Sequence, residues 1–169
     1  MAVFKPGVVA MAFLIMLLLN PSAASAASAV QPRDVTGVWV TDDGEGAVEI
    51  ERCGDKRCGH LVWLKTPVDD AGRPLHDANN PDPASRQRPV CGIEIIKDVT
   101  LQRDGSWDGG SIYDPDEGKS YNVMLKAASN DRLEVRGYLG IKSLGETMIW
   151  TRAPEQLKRC QPGTTSRVK

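Results

Sequence analysis

The chain has 169 residues, of which 41% are hydrophobic and only 5% are aromatic. Its 21 basic and 22 acidic residues nearly cancel, so it lacks the strong positive charge that nucleic acids and anionic membranes attract. This length is typical of one domain with a modest hydrophobic core.

The first 29 residues have the features of an export signal. Lys5 precedes an uncharged apolar run from Val8 to Leu19, and a segment of small residues follows it. The run is shorter than the roughly 18 residues that a membrane-spanning helix needs. Two Ala-x-Ala sequences place cleavage between residues 26 and 29. We predict a signal peptide at residues 1–26, no transmembrane span after its removal, and a periplasmic or secreted protein.

Four cysteines in an exported chain predict two disulfides. Cys53 and Cys58 flank a turn-rich tetrapeptide, so a bridge between them would hold a hairpin, and Cys91 would then pair with Cys160. Four cysteines allow three connectivities, and only proximity in sequence favours this one. A metal site is the alternative, but a Cys pair with four intervening residues is loosely spaced for metal. The sequence predicts neither a metal nor a cofactor.

Apolar and polar residues alternate with a period of two along most of the remaining chain, which indicates β-strands. Turn sequences rich in Asp, Asn and Gly separate these runs. No segment after the signal has a convincing amphipathic helical pattern. The predicted strands are 36–42, 46–53, 58–65, 92–101, 107–113, 119–127, 132–139 and 146–152. This pattern predicts an all-β antiparallel barrel or sandwich of about eight strands.

Two short motifs favour the barrel. Gly37-Val38-Trp39 lies on the first predicted strand, and Trp150-Thr151-Arg152 lies on the last. Lipocalin-like barrels carry such a Gly-x-Trp and Arg, where the Trp caps one end and the Arg stacks on it by a cation–π contact. We predict an up-and-down barrel over residues 34–153, closed by Gly37, Trp39 and Arg152, with a C-terminal tail at 154–169.

One connection is unusually long. Residues 66–91 contain no predicted strand and hold five prolines. Loops of this length within a compact domain are usually functional or disordered. We predict an ordered lid or binding loop at the mouth of the barrel, and the alternative is a solvated excursion without a role.

These motifs together resemble a secreted bacterial family. The resemblance rests on the two terminal motifs and on several internal ones: Cys53…Cys58-Gly59, Val62-Trp63-Leu64-Lys65, Asn79-Asn80-Pro81-Asp82-Pro83, Arg86…Arg88-Pro89, Cys91-Gly92, Trp107-Asp108-Gly109-Gly110, Ile112-Tyr113-Asp114-Pro115 and Val135-Arg136-Gly137-Tyr138. The family is a domain of unknown function from Gram-negative bacteria with a calycin-like, that is lipocalin-like, barrel. The resemblance implies this fold and an envelope location, and it implies no reaction.

Aromatic and basic residues are the candidates for ligand binding. Aromatic side chains on the predicted strands can form the wall of an apolar cavity or can be ordinary core. Arg86 and Arg88, in the long loop, can present guanidinium groups to an acidic head group or can pair with neighbouring acids. The candidate ligand-binding residues are Trp63, Arg86, Arg88, Trp107, Tyr113, Tyr121 and Tyr138.

Evidence for an enzyme is weak in this sequence. It has no Gly-x-Ser-x-Gly, no His-Glu-x-x-His and no Gly-rich phosphate loop. The best general base would be His76 with Asp77 or Asp82, all in the long loop. The acids of Asp114–Lys119 fit a tight hairpin better than a calcium loop, because the distal Glu ligand is missing. We predict no catalytic residues.

The sequence therefore favours an exported β-barrel that binds a small, mostly apolar ligand. The alternative is an envelope interaction module, in which side chains fill the barrel and residues 66–91 recognise a protein partner. Neither interpretation predicts a nucleic-acid partner.

Overall fold

The computed structural model describes residues 33–160. The predicted signal peptide lies outside the described residues, as do the last nine residues of the tail. The structure contains eight strands and two short 3₁₀ turns, at Pro83–Ser85 and Lys142–Leu144. The strands are β1 Gly37–Val40, β2 Gly46–Cys53, β3 Lys56–Leu64, β4 Glu94–Leu101, β5 Trp107–Asp114, β6 Lys119–Ala127, β7 Arg132–Tyr138 and β8 Glu146–Arg152.

The strands form one closed antiparallel barrel in chain order, from β1 to β8. β8 returns to β1 through the cross-strand pairs Trp39–Arg152 and Val40–Thr151. This arrangement confirms the predicted all-β up-and-down barrel and excludes the sandwich. Closure pairs the first strand with the last, so neither is left as a free sheet edge.

The alternating pattern lines the interior of the barrel with apolar side chains. On β2, for example, Val48 and Ile50 are buried while Glu49 between them is half-exposed. Val123 and Leu125 on β6, with Leu133 and Val135 on β7, have no exposed surface. Period-two alternation therefore places one apolar row of each strand in a common core.

The β2–β3 hairpin differs from the prediction in two details. β3 begins at Lys56 rather than at residue 58, because Gly54 and Asp55 alone make the turn and Cys53 pairs with Lys56. Near the other end of the hairpin, Val48 pairs with Leu61 but Ala47 pairs with Trp63. The extra residue is a β-bulge, which reverses the faces of the residues that follow it.

The barrel has two unlike ends. At one end, which we call the closed end, lie the segment before β1 and the β2–β3, β4–β5 and β6–β7 turns. The other end, which we call the open end, carries the loops 41–45, 65–93, 115–118 and 139–145. The long loop therefore lies at the open end, among three shorter ones.

Two disulfides reinforce this frame. Cys53–Cys58 joins β2 to β3 near the closed end, and Cys91–Cys160 ties the end of the long loop to the tail. These are the predicted pairings. The tail also donates the Cys160 amide to the carbonyl of Val62 (2.8 Å), which holds it along β3. No helix among residues 33–160 is long and apolar enough to cross a membrane.

Candidate functional site

The closed end is sealed by Trp39 and Arg152. Trp39 is completely buried, and its indole Nε1 donates to the carbonyl of Val35 (2.8 Å). The Arg152 guanidinium carbon lies 3.8 Å from the centroid of the Trp39 ring. Arg152 also donates to the carbonyls of Thr36 (2.8 Å) and Asn130 (3.1 Å). This geometry is the cation–π seal expected from the sequence.

Gly37 is part of the same seal. Its φ of 118° lies in a region that other residues rarely adopt, and a Cβ there would collide with the Arg152 guanidinium. The glycine of the Gly-x-Trp motif therefore leaves the space in which Arg152 lies over Trp39.

A second Arg–Trp pair, which was not predicted from the sequence, occupies the same end. The guanidinium carbon of Arg57 lies 3.9 Å from the Trp107 ring centroid, and both residues are buried. Burial lowers the pKa of Arg57 from its usual value, despite the nearby charge of Asp34. Because β3 was expected to begin at residue 58, Arg57 was assigned to a turn. With the earlier start, alternation places it on the same face as the buried Gly59.

A cavity of about 480 Å³ opens at the other end. Its deeper wall is apolar, with side chains from four strands and from the long loop. These residues are Leu61, Leu64, Leu75, Val90, Ile95, Ile112, Met148 and Trp150. Trp150 is 2% exposed, and its indole Nε1 has no hydrogen-bond acceptor among the described residues.

The mouth of this cavity is acidic. Seven carboxylate residues from three parts of the open end line it, and no Lys or Arg of the described chain does so. Glu45 and Glu117 pair with Lys65 (2.6 Å) and Lys119 (3.5 Å). The other five have no cationic partner in residues 33–160: Asp42, Asp43, Asp114, Asp116 and Glu146.

Local hydrogen bonds keep part of this rim ionised. The backbone N–H of Glu45 and the Thr41 hydroxyl donate to Asp43, and they lower the pKa of its carboxyl. The Tyr121 hydroxyl donates to Glu117, which lowers the pKa of that carboxyl and raises the pKa of the tyrosine. Asp114 accepts from the N–H groups of Asp116 and Glu117, so it shapes the β5–β6 turn.

The long loop is ordered around the buried carboxylate of Asp77. Asp77 accepts from the Tyr113 hydroxyl (2.6 Å), from Asn80 Nδ2 (2.7 Å) and from Arg88 Nε (2.9 Å). Burial raises the pKa of Asp77, but these hydrogen bonds outweigh burial and leave the pKa below its usual value. Burial and the same contact raise the pKa of Tyr113 to about 12. The predicted binding loop is thus a folded wall of the cavity.

The same loop is packed against the β5–β6 turn. Asn79 Nδ2 donates to the Asp116 carbonyl (2.7 Å), and Gly118 has a φ of 66°. A Cβ at Gly118 would collide with the backbone carbonyl of Asn79. The two segments that carry Asn79 and Asp116 therefore meet backbone to backbone at the mouth.

The structure places Arg86 and Arg88 outside the lining of this cavity, and the expectation that they meet a ligand head group stays a prediction. Arg88 pairs with Asp77 (2.7 Å), and Arg86 Nε donates to the Asn80 carbonyl (2.8 Å). Both arginines satisfy acceptors of their own loop, which was the alternative at the sequence level.

Of the five candidate aromatics, Tyr113 and Tyr121 line the cavity and three do not. The β-bulge places Trp63 opposite Ala47 and gives the inner position to Leu64. Trp107 lies at the closed end against Arg57. Tyr138 follows the cavity-lining Gly137 and so points outward, where its hydroxyl donates to Asp108 (2.9 Å).

The catalytic candidate is not assembled as a dyad. His76 is exposed between the main cavity and a second hollow of about 370 Å³ on the outer side of the long loop. The donors to the Asp77 carboxylate are Tyr113, Asn80 and Arg88 rather than His76. Asp82 accepts from the Ala84 N–H and the Ser85 hydroxyl, which makes it the cap of a 3₁₀ turn.

Comparison with known proteins agrees with this fold. Residues 37–152 match the model of a family described as an uncharacterized protein conserved in bacteria (DUF2147). No curated protein matches the chain. A solved structure, protein HP1028 from the human pathogen Helicobacter pylori, is described as belonging to the lipocalin family. It is 24% identical, with a TM-score of 0.63, over 72% of this chain and 84% of that one. The chain belongs to the bacterial family DUF2147 and has a lipocalin-like barrel.

Proposed function

We propose that this protein is an exported binding protein that holds a small, mostly apolar ligand in the cavity at the open end. The observation that carries the proposal is the cavity itself. Its volume of about 480 Å³ is typical of sites for small ligands, which are commonly a few hundred Å³ with apolar walls and few polar groups.

The closed end supports this assignment. Two Arg–Trp pairs seal that end, so the cavity is open to solvent on one side of the barrel only. An eight-stranded barrel is just wide enough to hold one small ligand when its side chains do not fill it. A one-ended pocket walled by Ile95, Ile112 and Met148 suits a ligand that enters tail first.

The interaction-module alternative requires a filled barrel, and the cavity favours the ligand hypothesis over it. The long loop nevertheless presents exposed residues at the same end, so we keep loop-dependent capture of an envelope protein as the alternative. The absence of catalytic activity stays a prediction. Export to the periplasm or beyond is part of the proposal, supported by the N-terminal sequence and by the two disulfides.

Binding of Nile red, a neutral apolar dye, tests the proposal. We expect one saturable site and a rise in dye fluorescence. Met148→Trp narrows the cavity and should weaken binding about ten-fold or more, since it displaces ligand atoms from apolar contact. Leu139→Trp, at a site 68% exposed in the 139–145 loop, is the matched control and should bind like the wild type.

Thermal melts separate a filled cavity from a misfolded barrel. If Met148→Trp melts at a far lower temperature than the wild type, the dye-binding experiment is repeated with Ile112→Phe. That substitution adds less volume and lies at another position of the cavity wall. Dye binding that is absent from the wild type, or equal in wild type and folded filling variants, would contradict the proposal.

A further inference from the structure

We propose that the cavity selects a small organic cation, an apolar body with one alkylammonium-type head group at the mouth. This inference rests on the proposed function and names the chemical class of its ligand.

The first argument is the distribution of charge. The whole chain carries a net charge of only −1, yet seven of its 22 acidic residues line one cavity and none of the described Lys or Arg residues does. Five of these carboxylates have no cationic partner in the described part of the chain. Same-sign charges around a cleft with low-dielectric walls concentrate their field there, which raises the local concentration of the opposite ion.

The second argument is the aromatic lining of the mouth. Tyr121 lies among these acids and lines the cavity, whereas Tyr113, which also lines it, already has the Arg88 guanidinium carbon 5.9 Å from its ring centroid. Tyrosine faces attract cations, and aromatic rings next to negative charge form the usual recognition site for ammonium groups. An acidic head group would instead meet carboxylates, five of which have no cationic partner in the described residues.

The third argument comes from deeper in the cavity. Trp150 is 98% buried there, and the neighbouring wall residues Ile112 and Met148 are apolar too. Apolar walls bind the hydrocarbon part of a ligand. The charged head group would therefore lie at the mouth, where the seven carboxylate residues are.

Not all of these acids hold this part of the fold together. The Asp42 and Glu146 side chains make no hydrogen bond or ion pair with the described residues, although Asp43 and Asp114 do shape their turns. Asp42 lies in the 41–45 loop, and Glu146 lies at the start of β8. The two residues are far apart in the sequence and come together at the mouth because the barrel closes. These two exposed carboxylates therefore remain available to a ligand at the mouth.

Isothermal titration calorimetry with three probes of one chain length tests the inference: octyltrimethylammonium, 1-octanol and octyl sulfate, each below its micelle concentration. We expect the cation to bind about ten-fold tighter than the alcohol, and the anion to bind most weakly. Raising the salt concentration should weaken only the binding of the cation appreciably, because salt screens partly exposed charges.

A matched pair of variants locates the charge effect. Asp42→Asn with Glu146→Gln should weaken binding of octyltrimethylammonium about five-fold and leave 1-octanol binding within about two-fold. The control is Asp55→Asn with Asp131→Asn, which removes two carboxylates that make no side-chain hydrogen bond or ion pair with the described residues and lie in turns of the closed end. It should bind all three probes like the wild type.

The possible failures are distinguishable. If the alcohol and the cation bind equally, or if the two variant pairs behave alike, the charge inference is wrong while the proposed function stands. If none of the three probes binds, both are wrong. If calcium chloride at low concentration displaces the cation, the carboxylates form a metal site and the inference is overturned.

Discussion

The two ends of the barrel differ in how their charged side chains are used. At the closed end, Arg57 and Arg152 lie over the rings of Trp107 and Trp39; Arg57 is buried, and Arg152 covers the buried indole of Trp39 from the surface. At the open end, carboxylates such as Asp42 and Glu146 stand around a cavity with no cationic partner in the described residues. A nearly neutral chain thus has acidic residues concentrated at one end of its barrel and two arginine–tryptophan pairs at the other. Charge is part of the packing at one end and available to a ligand at the other.

The largest loss of stability is expected from a substitution at the closed end of the barrel. Trp39→Ala should lower the free energy of unfolding by about 3–5 kcal/mol, because it removes a fully buried indole and leaves Arg152 without its ring. Urea unfolding followed by circular dichroism measures this loss. Trp63→Ala, a half-exposed Trp on the outer face, is the control and should cost clearly less. Equal losses would contradict the seal.

The second largest loss of stability is expected on removing the disulfide that joins the long loop to the tail. Replacing both Cys91 and Cys160 with Ser opens a link across 69 residues, for which chain entropy predicts a loss of about 4 kcal/mol. Replacing Cys53 and Cys58, only five apart, should cost less by the same argument. Urea unfolding measures the loss of unfolding free energy in each double variant. A larger loss in the Cys53 and Cys58 variant would show that the Cys91–Cys160 disulfide contributes little to stability.

A smaller loss is expected from the cation of the seal. Arg152→Ala removes the contact with Trp39 and two hydrogen bonds to carbonyls, and should cost about 2 kcal/mol. Arg103→Ala, in the exposed β4–β5 turn, should be neutral in the same urea assay. Arg152→Lys should recover only part of the loss, because Lys lacks the planar group that stacks on the indole.

The smallest global effect, about 1–2 kcal/mol, is expected for Asp77→Asn at the open end, which weakens the link to Arg88. Because the folded-state pKa of Asp77 is below its usual 3.8, its stabilisation is present above that pH and is lost as the pH falls further. The hydrogen-exchange protection factors of residues 76–90, which are corrected for the intrinsic exchange rate at each pH, should therefore fall in acid in the wild type. In Asp77→Asn they should already be low at neutral pH, whereas Asp70→Asn, an exposed control, should match the wild type.

The strands and the contact that closes the barrel could be predicted from the sequence because they depend on short local patterns. Period-two alternation and turn residues placed all eight strands, and the Gly-x-Trp and Arg motifs placed the closing contact. Such signals lie within a few neighbouring residues, so they can be read without knowing the rest of the fold. The β-bulge near Trp63 could not be read, because a single extra residue leaves the apolar pattern almost unchanged.

The site was predicted less well because it depends on distant segments meeting. Arg86 and Arg88 look available in the sequence, yet their partners Asp77 and Asn80 are in the same loop and occupy them. The acidic mouth was not foreseen, since Asp42, Asp116 and Glu146 are far apart along the chain. Each of these acidic residues is what a sequence shows at an ordinary exposed turn or strand end. Only closure of the barrel brings them around one opening.

A crystal structure of the protein with octyltrimethylammonium tests the central claim, that one open end binds a ligand tail first. The account predicts the alkyl chain against Ile112, Met148 and Trp150, with the ammonium group at the mouth among Asp42, Asp116 and Glu146. A ligand in the reverse orientation, or one bound outside the barrel with the cavity unoccupied, would contradict it.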